Sequence, residues 1–406
     1  VGTEFGLFFS PDGGGGWIQL KGGMPTIAVR DLEIQRREND LVAASFGRGF
    51  YILDDYSPLR GLSEAQLDSE AILFPVKTTW TYIVSSPMGG GPKASQGDGF
   101  YVAPNPPFGA VLTYYLKEGL QTRHQKRKSD ERQAVKQGED VGYPSWDELR
   151  EEDRQQAPSV FLTVSDPAGN VVRRLEAPRS AGFHRLAWDL RHPAARRGGR
   201  RSASGPLAVP GRYQVQLSRM VDGVTQQLSQ PERFEVVPLG NATLPAADAA
   251  LRLEFEERVA ELQAAVLAAG SLMAESLEDL GRIRAALLEA GTEVGPLLSR
   301  AEAIRLSLMD LQERLDGDET RRRRAEFVAP AVEDRVQRIV RALWASTADA
   351  TQTHRRSYQV AADEFQEVYA TLRLLLQSEL ADLHRDLDRA GVRWTPGRPL
   401  PEWPRR

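Results

Sequence analysis

Near Ala246 the spacing of apolar residues changes from two to about 3.6, and no other feature restricts the possible folds so severely. Upstream, short apolar runs at 5–9, 17–20, 31–34, 41–44 and 50–53 are separated by Gly, Pro, Asn and Asp, the pattern of an antiparallel meander. Downstream, Leu251, Phe255, Val259, Leu262 and Val266 fall on one helical face, continued by Leu280, Ile283 and Leu287. A second stripe runs through Leu297, Leu298, Ala301, Ile304, Leu308, Leu311 and Leu315, and a third through Val332, Val336, Ile339, Val340 and Leu343. The longest joins Phe365, Val368, Leu372, Leu375, Leu376, Leu380, Leu383 and Leu387. Thr292 and Thr351 stand where helices begin, and Gly391 where the last one stops. The chain thus reads as β first and α second, with an antiparallel helical bundle over 246–391.

Within the β region a single self-similarity sets a length scale. Val1-Gly2-Thr3-Glu4-Phe5-Gly6 aligns with Val42-Ala43-Ala44-Ser45-Phe46-Gly47, and an aromatic-rich strand follows each. Phe5 and Phe46 are 41 residues apart, the period of one four-stranded propeller blade. Between the copies lie Ser10, Asp12, Gly14 and Trp17 in the spacing Ser-x-Asp-x-Gly-x-x-Trp, an Asp-box. Such a turn works because the carboxylate accepts backbone N–H groups, Gly supplies positive φ, and Trp packs beneath the hairpin. Asp12 is then a turn staple and not a catalytic acid.

These features carry a resemblance. Gly2-Thr3-Glu4-Phe5-Gly6-Leu7-Phe8, the Asp-box, Met24-Pro25-Thr26, Val29-Arg30-Asp31-Leu32 and the stretch from Phe46 to Asp55 resemble the closing repeats of bacterial Asp-box (BNR) proteins. Those are similar to the sortilin-type propeller and are often labelled glycosyl hydrolases. The family usually has His where Phe46 stands. The resemblance implies that 1–60 are the closing blades of a partial β-propeller, with upstream blades in the same polypeptide. It also implies export, secreted or periplasmic, with any signal peptide upstream of Val1.

A connector is expected over 61–104, with Met88-Gly89-Gly90-Gly91-Pro92 as a flexible loop. A second β unit over 105–240 starts with the apolar stretch 105–115 and resumes at 159–164, 171–175, 184–191, 211–217 and 233–237, as in a small antiparallel sandwich. Trp188-Asp189 and Pro210-Gly211-x-Tyr213 resemble an immunoglobulin-like sandwich found in the flagellar hook-capping protein and in the propeller family. Residues 117–157 interrupt it with dense charge of both signs and almost no aliphatics, a solvated helical or disordered excursion. After the bundle, 392–406 form an extended tail whose Trp394-Thr395-Pro396-Gly397-Arg398 again looks like the same family.

Composition excludes several functions. The 52 basic and 56 acidic residues give a net charge of −4, which argues against nucleic acid as the main partner. There is no Cys, hence no thiolate metal site, and the five His are scattered, so no metal or other cofactor is expected. No apolar run is long enough for a membrane span.

Few of the remaining charged groups are placed for chemistry. Asp54 and Asp55 are adjacent on extended chain, so they point to opposite faces and cannot be the facing carboxylates of a glycosidase. Arg30 and Arg48, on successive strands, are the candidates for reaching a propeller channel, where sialidases grip a carboxylate with Arg. No Tyr–Glu partner for such chemistry is visible, and bonding between blades explains both. Arg196-Arg197-Gly198-Gly199-Arg200-Arg201 reads as a solvated edge, and 321–324 as an exposed helix start beside Asp316, Asp318 and Glu319. No residue is assigned as catalytic. The expected function is a binding or scaffold module for a protein or glycan, held by the propeller. The alternative is a sialidase-like or xyloglucanase-like glycoside hydrolase whose carboxylates lie in upstream blades.

Overall fold

The computed structural model describes residues 1–85, 97, 99–197, 200–201, 205–291 and 293–401. It is a mixed β and α protein with a C-terminal helical region, and its chain divides into two compact units. One unit comprises Val1–Leu190 with Pro210–Leu239, the other Arg191–Val209 with Gly240–Arg406. Among the described residues no helix is long and apolar enough to cross a membrane.

The first unit opens with two three-stranded antiparallel meanders: Gly2–Thr3, Gly6–Phe9 and Ile18–Leu20, then Val29–Gln35, Asp40–Ser45 and Phe50–Leu53. They meet at a small core of Leu7, Val29 and Ala43. A Cβ on Gly2 would come within 2.7 Å of Val29 Cγ1, so the absence of a side chain is what lets the sheets approach there.

The stretch expected to be a connector supplies two strands. Ala71–Leu73 joins Ala110–Leu116 and Gly182–Trp188 in a three-stranded sheet. Thr79–Thr81 runs parallel to Glu232–Pro238 at the edge of a larger sheet, which continues through Gly211–Val221 and Ser159–Ser165 to Val171–Ala177. Val224–Gln227 folds back on Gly211–Val221. Strands of three residues are too short to display a period of two, so the sequence hides both. Residues 88–92, expected to form a loop, lie outside the described residues. Aromatic rings tie the two sheets together: buried Trp188 meets Tyr213 and Phe234 edge-on, with centroids 5.2 and 6.2 Å apart.

The charged excursion is helical. Arg123–Gln137 and Trp146–Arg154 each begin with a capping box, at Thr122 and Ser145. Arg127 holds them side by side through Glu131 on its own helix (2.5 Å) and Glu152 on the other (2.7 Å).

In the second unit the 40-residue helix Ala249–Leu288 is N-capped by Asp248, whose carboxylate accepts from the N–H groups of Ala250 and Leu251. Gly295–Asp316, Val332–Leu343 and Gln352–Leu374 pack with it around one apolar core that includes Val259, Met273, Ile283, Ile304, Leu308 and Val368. Thr351 caps its helix with a capping box to His354, while Thr292 lies outside the described residues. Gln352–Leu374 passes through a π-helical turn, Leu375–Leu380, into Ala381–Arg389. That helix ends in a Schellman motif: the Val392 N–H donates to Leu387 O (3.0 Å), the Gly391 N–H to Asp388 O (3.1 Å), and Gly391 has φ +69°.

The excursion Arg191–Val209, expected inside the β-sandwich, belongs by its contacts to the helical unit. Arg191 donates to Gly205 O (2.9 Å) and to Trp344 O (3.0 Å). Its arginines form a short hairpin, Arg196–Arg197 with Arg200–Arg201, and the glycines between them lie outside the described residues. The short helix Glu319–Arg322 starts at Asp318, which accepts from the Arg321 N–H. Past Val392 the tail is anchored by Arg398, whose guanidinium donates to Arg393 O (3.0 Å) and to Asp388, and Arg282 donates to Pro396 O (3.1 Å). Residues 402–406 lie outside the described residues.

Candidate functional site

The Asp-box is built from its own side chains and the backbone of four consecutive glycines. Ser10 Oγ donates to Asp12 Oδ1 (2.8 Å) and accepts from the Gly14 N–H (2.7 Å), and Asp12 Oδ1 accepts from the Gly16 N–H (3.0 Å). These bonds, chiefly the one from Gly16, hold the Asp12 carboxyl below the usual carboxylate range. Gly13 and Gly14 turn the chain with φ of +75° and +113°. Trp17 is half-exposed, at 51%, and its ring edge comes within 3.9 Å of where a Cβ on Gly14 would stand, so it lies against the turn.

Arg30 and Arg48 share no hydrogen-bond partner among the described residues. Arg30 Nη1 donates to Glu4 Oε1 at 2.8 Å, and its guanidinium lies over the Phe46 ring, 5.0 Å from the centroid. Phe46 is thus a platform for Arg30. Arg48 is exposed in the turn between Asp40–Ser45 and Phe50–Leu53 and is not on a strand, because Gly47 and Gly49, at φ of +76° and +75°, bend the chain there.

Asp54 and Asp55 end the second meander. Asp55 adopts φ +44°, and its Oδ1 accepts from the Ser57 N–H (3.2 Å) and the Ser57 hydroxyl, while its own N–H donates to Asp40 Oδ1 (2.9 Å). Arg185 donates to the carbonyl oxygens of both aspartates. Burial and the neighbouring Asp40 push the Asp54 carboxyl up, with Arg185 and Lys77 opposing. The arrangement fastens Gly182–Trp188 to the end of the meander. No pair of carboxylates is set across a cleft by it.

Sequence reasoning missed the buried charge in the helical unit. Asp279 Oδ2 and His384 Nε2 are 3.1 Å apart, both buried, and a Cβ on Gly397 would come within 2.4 Å of Asp279 Oδ1. Arg252 and Glu256 pair at 3.0 Å in full burial. At i, i+4 spacing with other charges nearby, the second pair reads as a solvated face, and only the packing reveals that it points inward. Among the described residues no group of three or more His, Cys, Asp or Glu could hold a metal ion.

No protein-family model matches the chain, and no curated protein matches it. A solved structure found by fold comparison is PorZ, described as an essential bacterial surface component of the type-IX secretion system of Porphyromonas gingivalis. The match is 15% identical with a TM-score of 0.14, and it covers 55% of this chain and 24% of that one.

Proposed function

We propose that this chain is a non-catalytic binding or scaffold section of an exported Asp-box (BNR), sortilin-like propeller protein, with protein or glycan as its ligand. On this reading the two N-terminal meanders are closing blades, the sheets tied by Trp188 are an immunoglobulin-like sandwich, and the helical bundle is a third domain. One observation carries the reading. The meanders leave Phe5, Trp17, Phe46 and Phe50 at 70%, 51%, 67% and 74% exposure over a core of three residues. Apolar rings displayed at that density ask for a cover, and further blades of the same polypeptide are the cover proposed. The carboxylates of Asp12, Asp40 and Asp55 are meanwhile occupied by backbone N–H groups, which supports a structural role for them.

Hydroxyl-radical footprinting tests the blade reading. Trp17 and Phe50 should label strongly in residues 1–406 and be protected several-fold in a polypeptide carrying the upstream sequence; equal labelling would sink it. For the lack of catalysis, the chain should leave a broad panel of glycosides intact. Turnover that one substitution within residues 1–406 abolishes would overturn that claim.

A further inference from the structure

The helix Arg123–Gln137 carries six Lys or Arg against two Asp or Glu, and its charge is sorted by face. Arg127 is neutralised by Glu131 and Glu152, toward the acidic helix Trp146–Arg154. His124, Lys128 and Arg132, at i, i+4 and i+8, line a different surface, so their heads follow the axis at intervals of about 6 Å. Across from them runs the turn at Arg179 and Ser180, and the space between is a groove of about 620 Å³. No Asp or Glu is among the residues lining it.

The groove walls are fixed. The Leu120 N–H donates to Arg179 O at 2.8 Å, and a Cβ on Gly119 would lie 3.2 Å from Ala181 N, so the helix entry and the turn are in backbone contact. Two of the three cations keep donors for a ligand, and the third shares its carboxylate with Arg127. Arg132 makes no hydrogen bond or ion pair among the described residues. Arg179 places one N–H on Pro158 O (2.9 Å), leaving most of its donors. Lys128 bonds Glu131 at 3.0 Å, but that carboxylate already serves Arg127. Neutral donors and acceptors, Gln125, Ser129 and Ser180, stand between the charges.

We infer that this groove binds an anionic polysaccharide, with Lys128, Arg132 and Arg179 on its acidic groups and the amide and hydroxyl side chains on its sugar hydroxyls. A row of cations along a groove whose lining residues include no Asp or Glu favours a ligand with repeated negative charge. Among the described residues no Phe, Tyr or Trp lines the groove, so it lacks the row of stacking rings on which single-stranded nucleic acid is held. The inference rests on this groove alone and stands whether or not the N-terminal meanders are propeller blades.

The acidic groups on the sugar are carboxylates or sulfate esters, and two probes separate these sources: an oligogalacturonate and a sulfated heparin oligosaccharide, each fluorescently labelled and titrated with the 406-residue chain. At least one should bind with an affinity that falls as salt is raised. The double variant Lys128→Glu, Arg132→Glu should weaken it by about tenfold or more, and Lys128→Gln, Arg132→Gln by less. A charge-matched control, Lys126→Glu with Lys136→Glu outside the groove, should change it less than about twofold. Failure of both oligosaccharides to bind, equal loss in groove and control variants of native circular dichroism, or tighter binding of a single-stranded DNA of equal charge would each overturn the proposal.

Discussion

Glu256 sits at 0% exposure on the long helix with a single hydrogen-bonding partner, Arg252, and its Oε2 has none among the described residues. Burial pushes its carboxyl up to about 7, and the charges of Arg252 and Arg191 only partly oppose this. The folded state therefore keeps a proton that the unfolded chain releases near 4.5. Stability contributed by that proton is fully present below 4.5 and is lost as pH rises to about 7, by on the order of 3 kcal/mol. Melting of the helical unit should accordingly fall between pH 5 and pH 7, and Glu256→Gln should flatten most of that slope while keeping an acceptor for Arg252. An unchanged slope in the variant would assign the pH dependence elsewhere. Removing Arg252 alone should be far worse, since it strands a buried carboxyl.

At the scale of elements, the last long helix shows what a sequence does and does not display. The buried positions Phe365, Val368, Leu372, Leu375, Leu380, Leu383 and Leu387 step by three or four except between Leu375 and Leu380. Five residues apart, these two would point in different directions on a regular α-helix; the π turn brings them to one face. The stripe was legible from the sequence because Leu376 fills the gap in the pattern, but the extra residue was not, since a list of leucines does not say which are buried. Deleting exposed Ser378 restores a spacing of four, so it should turn the π turn into α-helix and shift Tm by only about 3 °C. Deleting Ala370, also exposed, rotates every later leucine off the core and should abolish cooperative melting. Similar Tm values for the two deletions would refute this account. The bundle stripes and the Asp-box turn were readable because each is local. Strands of three residues and the inward-facing Arg252–Glu256 pair depend on distant partners that spacing does not encode.

For the whole molecule, the informative fact is that both units are assembled from two stretches of chain. The β unit stops at Leu190 and resumes at Pro210, and the excursion between is fastened to the helical unit through Arg191. Loss of that side chain should therefore be felt within the excursion. Arg191→Ala deletes two charge-assisted bonds to carbonyl oxygens, each worth about 1.5–3 kcal/mol, and limited proteolysis should cut within 191–209 at least several-fold faster, with the sheets intact. Unchanged cleavage there would mean that the excursion is held by other contacts.

That interleaving also dictates a timetable on the ribosome. Arg191 emerges long before Trp344, the residue whose carbonyl it must find, which is 153 positions further along. At ordinary elongation rates the wait is roughly 8–30 s. During that interval Gly211–Val221 and Glu232–Pro238 can already close their sheet, leaving 191–209 as a loop that must be held open until the helices arrive. Translation speed over 240–344 thus helps decide how this chain reaches its native arrangement.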